Sequence, residues 1–274
     1  MFSENPGLKP FARLALAMAD AAAEVTLKHF RASSLLVDNK EIGEDFDPVT
    51  VADRGAESAM RHVLAAERPD DGIYGEEHGQ RAGTSGLTWV IDPIDGTRAY
   101  VSGLPVWGTL IGLDDGVTGR VGVIDQPYLG ERYIGLWGEA NAAHMLRDGA
   151  ATPIRTRKGR LLGDAVMFTT DPFLFDGAEA GAFSALRDRA RLTRYGCDCY
   201  AYALVASGQI DLVVESGLNA YDIASHIPLI RAAGGVVTDW TGGDCRWGGQ
   251  VVAAGSAALH EEVLELISST SGRG

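Results

Sequence analysis

The chain predicts an α/β (α+β) protein in two halves: a helix-flanked antiparallel half, then a half that alternates strand and helix. Three observations predict it. Leu8, Phe11, Leu14, Met18, Ala22 and Val25 recur at spacings of three and four, the stripe of an amphipathic helix. Between Ile73 and Leu146 the apolar residues contract into short runs separated by turn residues. From Ala165 onward, strand-like and helix-like segments take turns.

In order, the first helix covers residues 8–32, and a polar loop from Lys40 to Val49 ends in Asp47-Pro48. Thr50-x-x-Asp53 has the form of a capping box before a helix carrying Ala56, Met60, Val63 and Leu64 and stopped near Pro69. Ile73-Tyr74-Gly75 is a short apolar stretch that ends on Glu76-Glu77. Trp89-Val90-Ile91 is a buried strand, and Pro93-Ile94 makes a tight corner after it, since proline suits the second position of a turn and aspartate the first. Val106–Leu113 and Val117–Ile124 flank Asp114-Asp115-Gly116, a hairpin signal, and Arg132–Trp137 and Ala142–Leu146 continue as antiparallel strands. A basic, turn-rich stretch follows, with Arg155, Arg157, Lys158 and Arg160. It sets the expected boundary between an N-terminal domain, 1–148, that carries most acidic ligands and a C-terminal domain, 149–274, that completes the site.

In the second half, Ala165–Thr169 is a strand, and Gly181–Ala190 and Cys199–Ser207 are helices. Asp211–Glu215 is a strand, and Ile223–Ala233 is a helix ended by Gly234-Gly235, which permits left-handed backbone. Val236–Trp240 and Val251–Ala254 are strands, and Leu259–Ile267 is the last helix.

With 274 residues, 46% apolar and 22% charged, the chain can bury a substantial core. A net charge of −13 argues against nonspecific binding to nucleic acid or anionic membrane. No apolar run approaches the ~18 residues of a transmembrane helix. The start, Met1-Phe-Ser-Glu-Asn-Pro, has neither basic leader nor apolar core, and the expected location is the cytoplasm. Cys197, Cys199 and Cys245 make no CxxC pair, which predicts reduced thiols and not a zinc site. Arg187, Arg189, Arg191 and Arg194 surround a helix end, as a solvated face or as a phosphate or dimer contact.

The chemistry concentrates in acids at the ends of elements. Asp92 and Asp95, three apart with the Ile94 carbonyl between them, read either as an oxygen-rich claw for a hard cation such as Mg²⁺ or as an Asp-capped turn with no metal. Glu76 and Asp222 also stand where a cleft can collect them. Unit charges about 4 Å apart interact at roughly 4 kcal/mol when the effective dielectric is near 20. Four converging carboxylates are therefore tolerable only with cations bound. Two Mg²⁺ roughly 3.5–4 Å apart would clamp a phosphate, with Asp92 between them and Glu76 and Asp95 on either side. The ions also reconcile an acidic chain with a phosphate substrate, because they invert the local field. Thr97 can hold an attacking water while Asp53 accepts its hydroxyl proton. Asp53 and Asp222 each have a second reading as helix caps, and the Gly96-Thr97 amides can meet phosphate oxygens or simply serve the turn.

Asp47-Pro-Val-Thr-Val-Ala-Asp53, Gly75-Glu76-Glu77, Asp92-Pro-Ile-Asp-Gly-Thr97 and Tyr221-Asp222 resemble, in order, the motifs of the inositol monophosphatase-like superfamily of Mg²⁺-dependent, lithium-sensitive phosphatases. The resemblance spans about residues 8–268. It implies an alternating αβαβα sandwich, usually dimeric, binding two or three Mg²⁺ per site through Glu76, Asp92, the Ile94 carbonyl, Asp95 and Asp222. It further implies direct attack of activated water on phosphorus, with Glu76 and Thr97 as activators and Asp53 behind Thr97.

Arg98-Ala-Tyr-Val-Ser-Gly-Leu-Pro105-Val-Trp107 and Asp198-Cys-Tyr-Ala-Tyr202 resemble the histidinol-phosphate phosphatase branch, which implies a role in histidine biosynthesis. Histidinol phosphate carries an ammonium and an imidazole, and Asp198 or Glu215 could pair with them; the expected substrate contacts are Asp95, Gly96, Thr97, Arg98, Asp198 and Glu215. Asp198 could instead cap the helix beginning at Cys199. Two positions depart from that branch: Cys197 replaces an expected Gly, and Asn219-Ala220 an expected Lys-Pro. An inositol- or sugar-phosphate phosphatase is the alternative, and a non-catalytic metal-binding regulator the reading outside enzymes.

Overall fold

A computed structural model of the protein describes residues 8–32, 37–39, 48–139 and 142–271. Lys40 and Asp47, both singled out by the sequence, lie outside the described residues.

Helix α1 (Lys9–His29) leads to two short paired strands, β1 (Val37–Asn39) and β2 (Pro48–Thr50), and then to α2 (Val51–Glu67). The expected capping box starts α2: Thr50 Oγ1 accepts from Ala52 N, and Asp53 Oδ2 accepts from Thr50 N at 2.8 Å. The large sheet comes next. Its strands are β3 (Gly72–Gly75), β4 (Gly79–Arg81), β5 (Thr88–Asp95) and, after helix α3 (Thr97–Val101), β6 (Gly108–Asp114), β7 (Gly119–Gln126), β8 (Glu131–Leu136), β9 (Ala143–Arg147) and β10 (Ala150–Pro153). They stand in the order β10-β9-β8-β7-β6-β5-β3-β4, antiparallel throughout except between β3 and β5.

The rest of the chain is β11 (Val166–Thr169), α4 (Gly177–Arg189), β12 (Leu192–Tyr195), α5 (Asp198–Ala206), β13 (Leu212–Asn219), α6 (Ala220–Ile223), α7 (His226–Ala232), β14 (Val236–Thr238), β15 (Gly248–Ala254) and α8 (Ala257–Ser271). Its sheet runs β12-β11-β13-β15-β14, parallel across β12-β11-β13 and antiparallel beyond.

Three apolar clusters stack these elements into layers. Ala15, Met18 and Met60 of α1 and α2 pack with Trp89, Ile111 and Val123 on one face of the large sheet. Leu110 and Ile124 on its other face meet α5 and α7, which in turn meet Val213, Val251 and Ala253 of the small sheet. Phe183 and Val263 of α4 and α8 cover the remaining face of that sheet. The result is the αβαβα sandwich. The middle layer sits tightly on its neighbour: a Cβ at Gly122 of β7 would lie 1.9 Å from the Ser225 carbonyl oxygen, so only glycine fits there.

Three local expectations are corrected. Pro93-Ile94 is not a turn, because β5 continues to Asp95 and shifts register against β6 between Asp92 and Asp95, a bulge that accommodates a proline without a donor. The single helix 223–233 is two, α6 and α7, separated at Ala224-Ser225. Pro228 has no N–H to return to the Ala224 carbonyl, so one ladder bond is missing where the helix divides. Arg194 belongs to no helix end; it lies in β12, an edge strand the sequence reading passed over.

Candidate active site

The ends of β3, β5, α2 and α6 meet between the two sheets, and each brings an acid. Oxygens of Asp92, Asp95 and Asp222 all lie within 4.8 Å of one another. The β5 bulge places the first two. Ile94 N donates to Asp92 Oδ1 at 2.9 Å, and Thr109 Oγ1 donates to the Pro93 carbonyl at 2.8 Å, which pins the bulge to β6. Asp95 Oδ2 accepts from the Cys199 amide at 2.7 Å, so the first turn of α5 holds it from the opposite side. Asp222 repeats the α2 arrangement: it is the third residue of α6, with Asn219 N donating to its Oδ2 at 2.6 Å in a capping box. The capping reading thus holds for both Asp53 and Asp222.

Asp92 is buried, and its pKa is raised well above the usual carboxylate range by that burial, then by Glu76, Asp95 and Asp222. Asp95 is raised the same way, by burial first and then by Asp198 and Asp222. An all-oxygen donor set under this mutual repulsion fits Mg²⁺, which would be held by Asp92, Asp95 and Asp222 with Glu76 beside Asp92.

Thr97 opens α3 immediately behind Gly96, whose φ of 81° is left-handed. Its Oγ1 lies 3.0 Å from the Ile94 carbonyl and 3.4 Å from Asp53 Oδ1. The hydroxyl's one proton can satisfy either acceptor, and Asp53 is fixed to take it, because Thr50 donates to its other oxygen from both N and Oγ1. Burial raises the Asp53 pKa to about 6 against the pull of the Thr50 hydrogen bonds.

Asp198 does not cap the helix through its side chain. It is itself the first residue of α5, with no side-chain cap bond and a left-handed φ of 42°. That backbone turns the carboxylate toward Gly96, where an added Cβ would meet Asp198 Oδ2 at 3.0 Å. Burial raises the Asp198 pKa to about 6, with the Arg98 guanidinium pulling it down. Glu215, on β13, is 1% exposed and accepts from Thr170 N at 2.7 Å, Thr170 Oγ1 at 3.0 Å and Thr169 Oγ1 at 3.2 Å. Asp95, Asp198, Glu215 and Asp222 all line a cavity of about 200 Å³ together with Tyr202 and His226. All the expected acids except Asp92, Glu76 and Asp53 thus line this cavity.

Comparison with known proteins decides the family. The inositol monophosphatase family profile matches residues 8–271. The chain belongs to the inositol monophosphatase family. It is 42% identical over 269 residues to the bifunctional phosphatase IMPL2 of Arabidopsis thaliana, covering 94% of this chain and 75% of that one. It is 38% identical to the histidinol-phosphatase of Mycobacterium tuberculosis, covering 93% and 97%. Among solved structures, an inositol monophosphatase from Zymomonas mobilis superposes with a TM-score of 0.82 at 40% identity, covering 96% of this chain and all of that one. The protein is accordingly a metal-dependent phosphomonoesterase of this family. Among the described residues no helix is long and apolar enough to cross a membrane.

Glu57 is a support beneath the candidate site that sequence reasoning missed. Its fully buried carboxylate accepts from Glu77 N at 2.7 Å, His78 N at 3.1 Å and Arg61 Nε at 2.7 Å, tying the loop that carries Glu76 to α2. No local pattern marks it, since its amide partners are 20 and 21 residues away. Glu57→Ala would strand two backbone donors, at about 1–3 kcal/mol. The expected outcome is a lower melting temperature and a Mg²⁺ requirement raised about 10–100-fold, as for other supports of metal ligands. A Mg²⁺ titration of phosphate release checks it, and an unchanged midpoint would remove Glu57 from the site.

Proposed function

We propose that this protein hydrolyses histidinol phosphate to histidinol and phosphate, using Mg²⁺, as a step of histidine biosynthesis. One observation supports the leaving-group assignment above others. The cavity beside the Asp92–Asp95–Asp222 cluster is lined by Asp198 and Glu215 as well as Asp95 and Asp222, and among the described residues no Lys or Arg lines it. A leaving group with an ammonium and an imidazole meets such a wall favourably. A neutral polyol can offer those carboxylates hydroxyl hydrogen bonds but no opposite charge. The similarity to histidinol-phosphatases points the same way.

In this reading Thr97 and Glu76 position the attacking water, and Asp53 takes the Thr97 hydroxyl proton so that the Thr97 oxygen accepts from water. The water oxygen attacks phosphorus in line with the ester oxygen and gives a proton to the Glu76 carboxylate; the phosphorus–ester bond breaks, and the ester oxygen takes a proton from solvent and departs as the alcohol toward Asp198 and Glu215. The Gly96-Thr97 amides and Arg98 would contact the phosphate. Bound through Asp92, Asp95, Asp222, Glu76 and the Ile94 carbonyl, Mg²⁺ would supply Lewis acidity for the phosphoryl group and for water. Family membership also supports lithium sensitivity, a cytoplasmic location and a homodimer, which sedimentation would test.

The deciding experiment compares kcat/KM for histidinol phosphate and myo-inositol 1-phosphate with Mg²⁺. A preference of about a hundredfold corresponds to about 2.7 kcal/mol of transition-state discrimination and supports the proposal. Comparable or reversed rates favour the second reading, an inositol phosphatase, which the Zymomonas mobilis similarity supports.

A further inference from the structure

Tyr202 stands apart from the other groups around the cavity. It lies on α5, is 3% exposed, and packs its ring on His226 with centroids 4.2 Å apart at 39°. Its hydroxyl is buried and has no hydrogen-bond partner among the described residues. Buried tyrosine hydroxyls are normally partnered, and an unmade bond of this kind is costly. The surroundings show no structural use for it. Glu215 already accepts three hydrogen bonds from Thr169 and Thr170, and His226 Nδ1 is paired with Ser225 Oγ at 2.9 Å.

The position of the hydroxyl is informative. Tyr202 lines the same cavity as Asp198 and Glu215, together with Asp95 and Asp222 of the acidic cluster. Its phenol pKa is raised well above its usual value, by burial first and then by Glu215, Cys245, Asp95 and Asp222, so it stays protonated at physiological pH. A neutral hydroxyl can both donate and accept, whereas the surrounding carboxylates only accept when ionised. Beside His226, kept neutral by burial that lowers its pKa to about 3, it offers the cavity's floor a polar contact without adding charge.

We propose that Tyr202 is a specificity-determining residue whose orphaned hydroxyl completes its hydrogen bonding on a nitrogen of the leaving group, alongside the carboxylates of Asp198 and Glu215. The assignment rests on the histidinol-phosphate reading. The bond is made only when a leaving group with a suitably placed polar nitrogen fills the cavity. A leaving group lacking it leaves the hydroxyl unpaired, the situation in which a site built for a hydrogen bond rejects an analogue strongly.

Tyr202→Phe tests this, because phenylalanine keeps the ring against His226 and removes only the oxygen. Two ratios are read with Mg²⁺: kcat/KM for histidinol phosphate over glycerol 2-phosphate, and the inhibition constant for histidinol over that for inorganic phosphate. The expected result is a fall of about tenfold or more in the first ratio and a matching rise in the second. A purely structural role would move both substrates and both inhibitors together, leaving the ratios flat and overturning the assignment. If the wild-type protein itself shows no preference for histidinol phosphate over glycerol 2-phosphate, the histidinol reading fails and takes this assignment with it. If the wild type shows the preference and Tyr202→Phe keeps it, only Tyr202 is excluded.

Discussion

Asp92→Asn is expected to lower phosphate release by about a thousandfold or more while leaving the metal-free protein at least as stable as the wild type. The two effects have one cause. Asp92 sits in the middle of the acidic cluster, with its oxygens close to Asp95 and Asp222. In the proposed site, several kcal/mol of Mg²⁺-dependent stabilisation of the transition state would pass through that position, and each 1.36 kcal/mol is a factor of ten in rate. Without metal the same carboxylate is a burden, held with a raised pKa by burial and by Glu76, Asp95 and Asp222. Asparagine keeps the one bond the local fold needs, since its carbonyl oxygen can accept from Ile94 N as Asp92 Oδ1 does at 2.9 Å. It also removes the charge. Thermal melts with EDTA and with Mg²⁺ separate the terms. The wild type should gain stability from Mg²⁺ by mass action, and Asp92→Asn should gain little. A variant that melts well below the metal-free wild type would show that the carboxylate is structural and that the lost activity says nothing about metal.

The same residues show what the sequence could and could not reveal. Thr50 with Asp53, and Asp92 with Asp95, were legible because each pair is local: a helix start and a strand end leave patterns within a few residues. The layers were legible in outline because amphipathic periods of 3.6 and 2 report which face is buried. The bulge was not, because proline suits both a turn and an interrupted ladder, and only the pairing of β5 with β6 decides between them. Long-range bonds were invisible for the same reason. The Cys199 amide reaches Asp95 across 104 residues, and Thr170 reaches Glu215 across 45. Nothing near Tyr202 in sequence says that its hydroxyl lacks a partner. The short edge strands β4 and β12, three and four residues long, carry too few apolar positions to show a period.

Glu215→Gln is expected to stabilise the metal-free protein above neutral pH and to impair turnover of a cationic substrate, a trade that follows from the burial of Glu215. Burial raises its pKa from 4.5 to about 7 against three hydrogen bonds from Thr169 and Thr170. The sign is fixed by proton counts. Below pH 4.5 the group is protonated in both folded and unfolded chains and costs nothing. Between 4.5 and about 7 the folded protein holds a proton that the unfolded chain has released, so this group's contribution to stability falls as pH rises through that window. Above it the cost is constant, about 3 kcal/mol. Glutamine removes the titration yet keeps the contacts: its carbonyl can accept from Thr170, and its amide can donate to the Thr169 hydroxyl, which also accepts. The melting temperature of Glu215→Gln in EDTA should therefore match the wild type near pH 4.5 and exceed it by a growing margin up to about pH 7. A constant margin across that range would mean that Glu215 is not the titrating group. The catalytic consequence is opposite in sign. Leaving a buried cation without its carboxylate costs roughly 2–5 kcal/mol, so kcat/KM for histidinol phosphate should fall about 30-fold or more. Glycerol 2-phosphate, which brings no cation to the cavity, should lose far less. Equal losses on both substrates would place Glu215 in the shared phosphate chemistry and remove the electrostatic basis for a cationic leaving group.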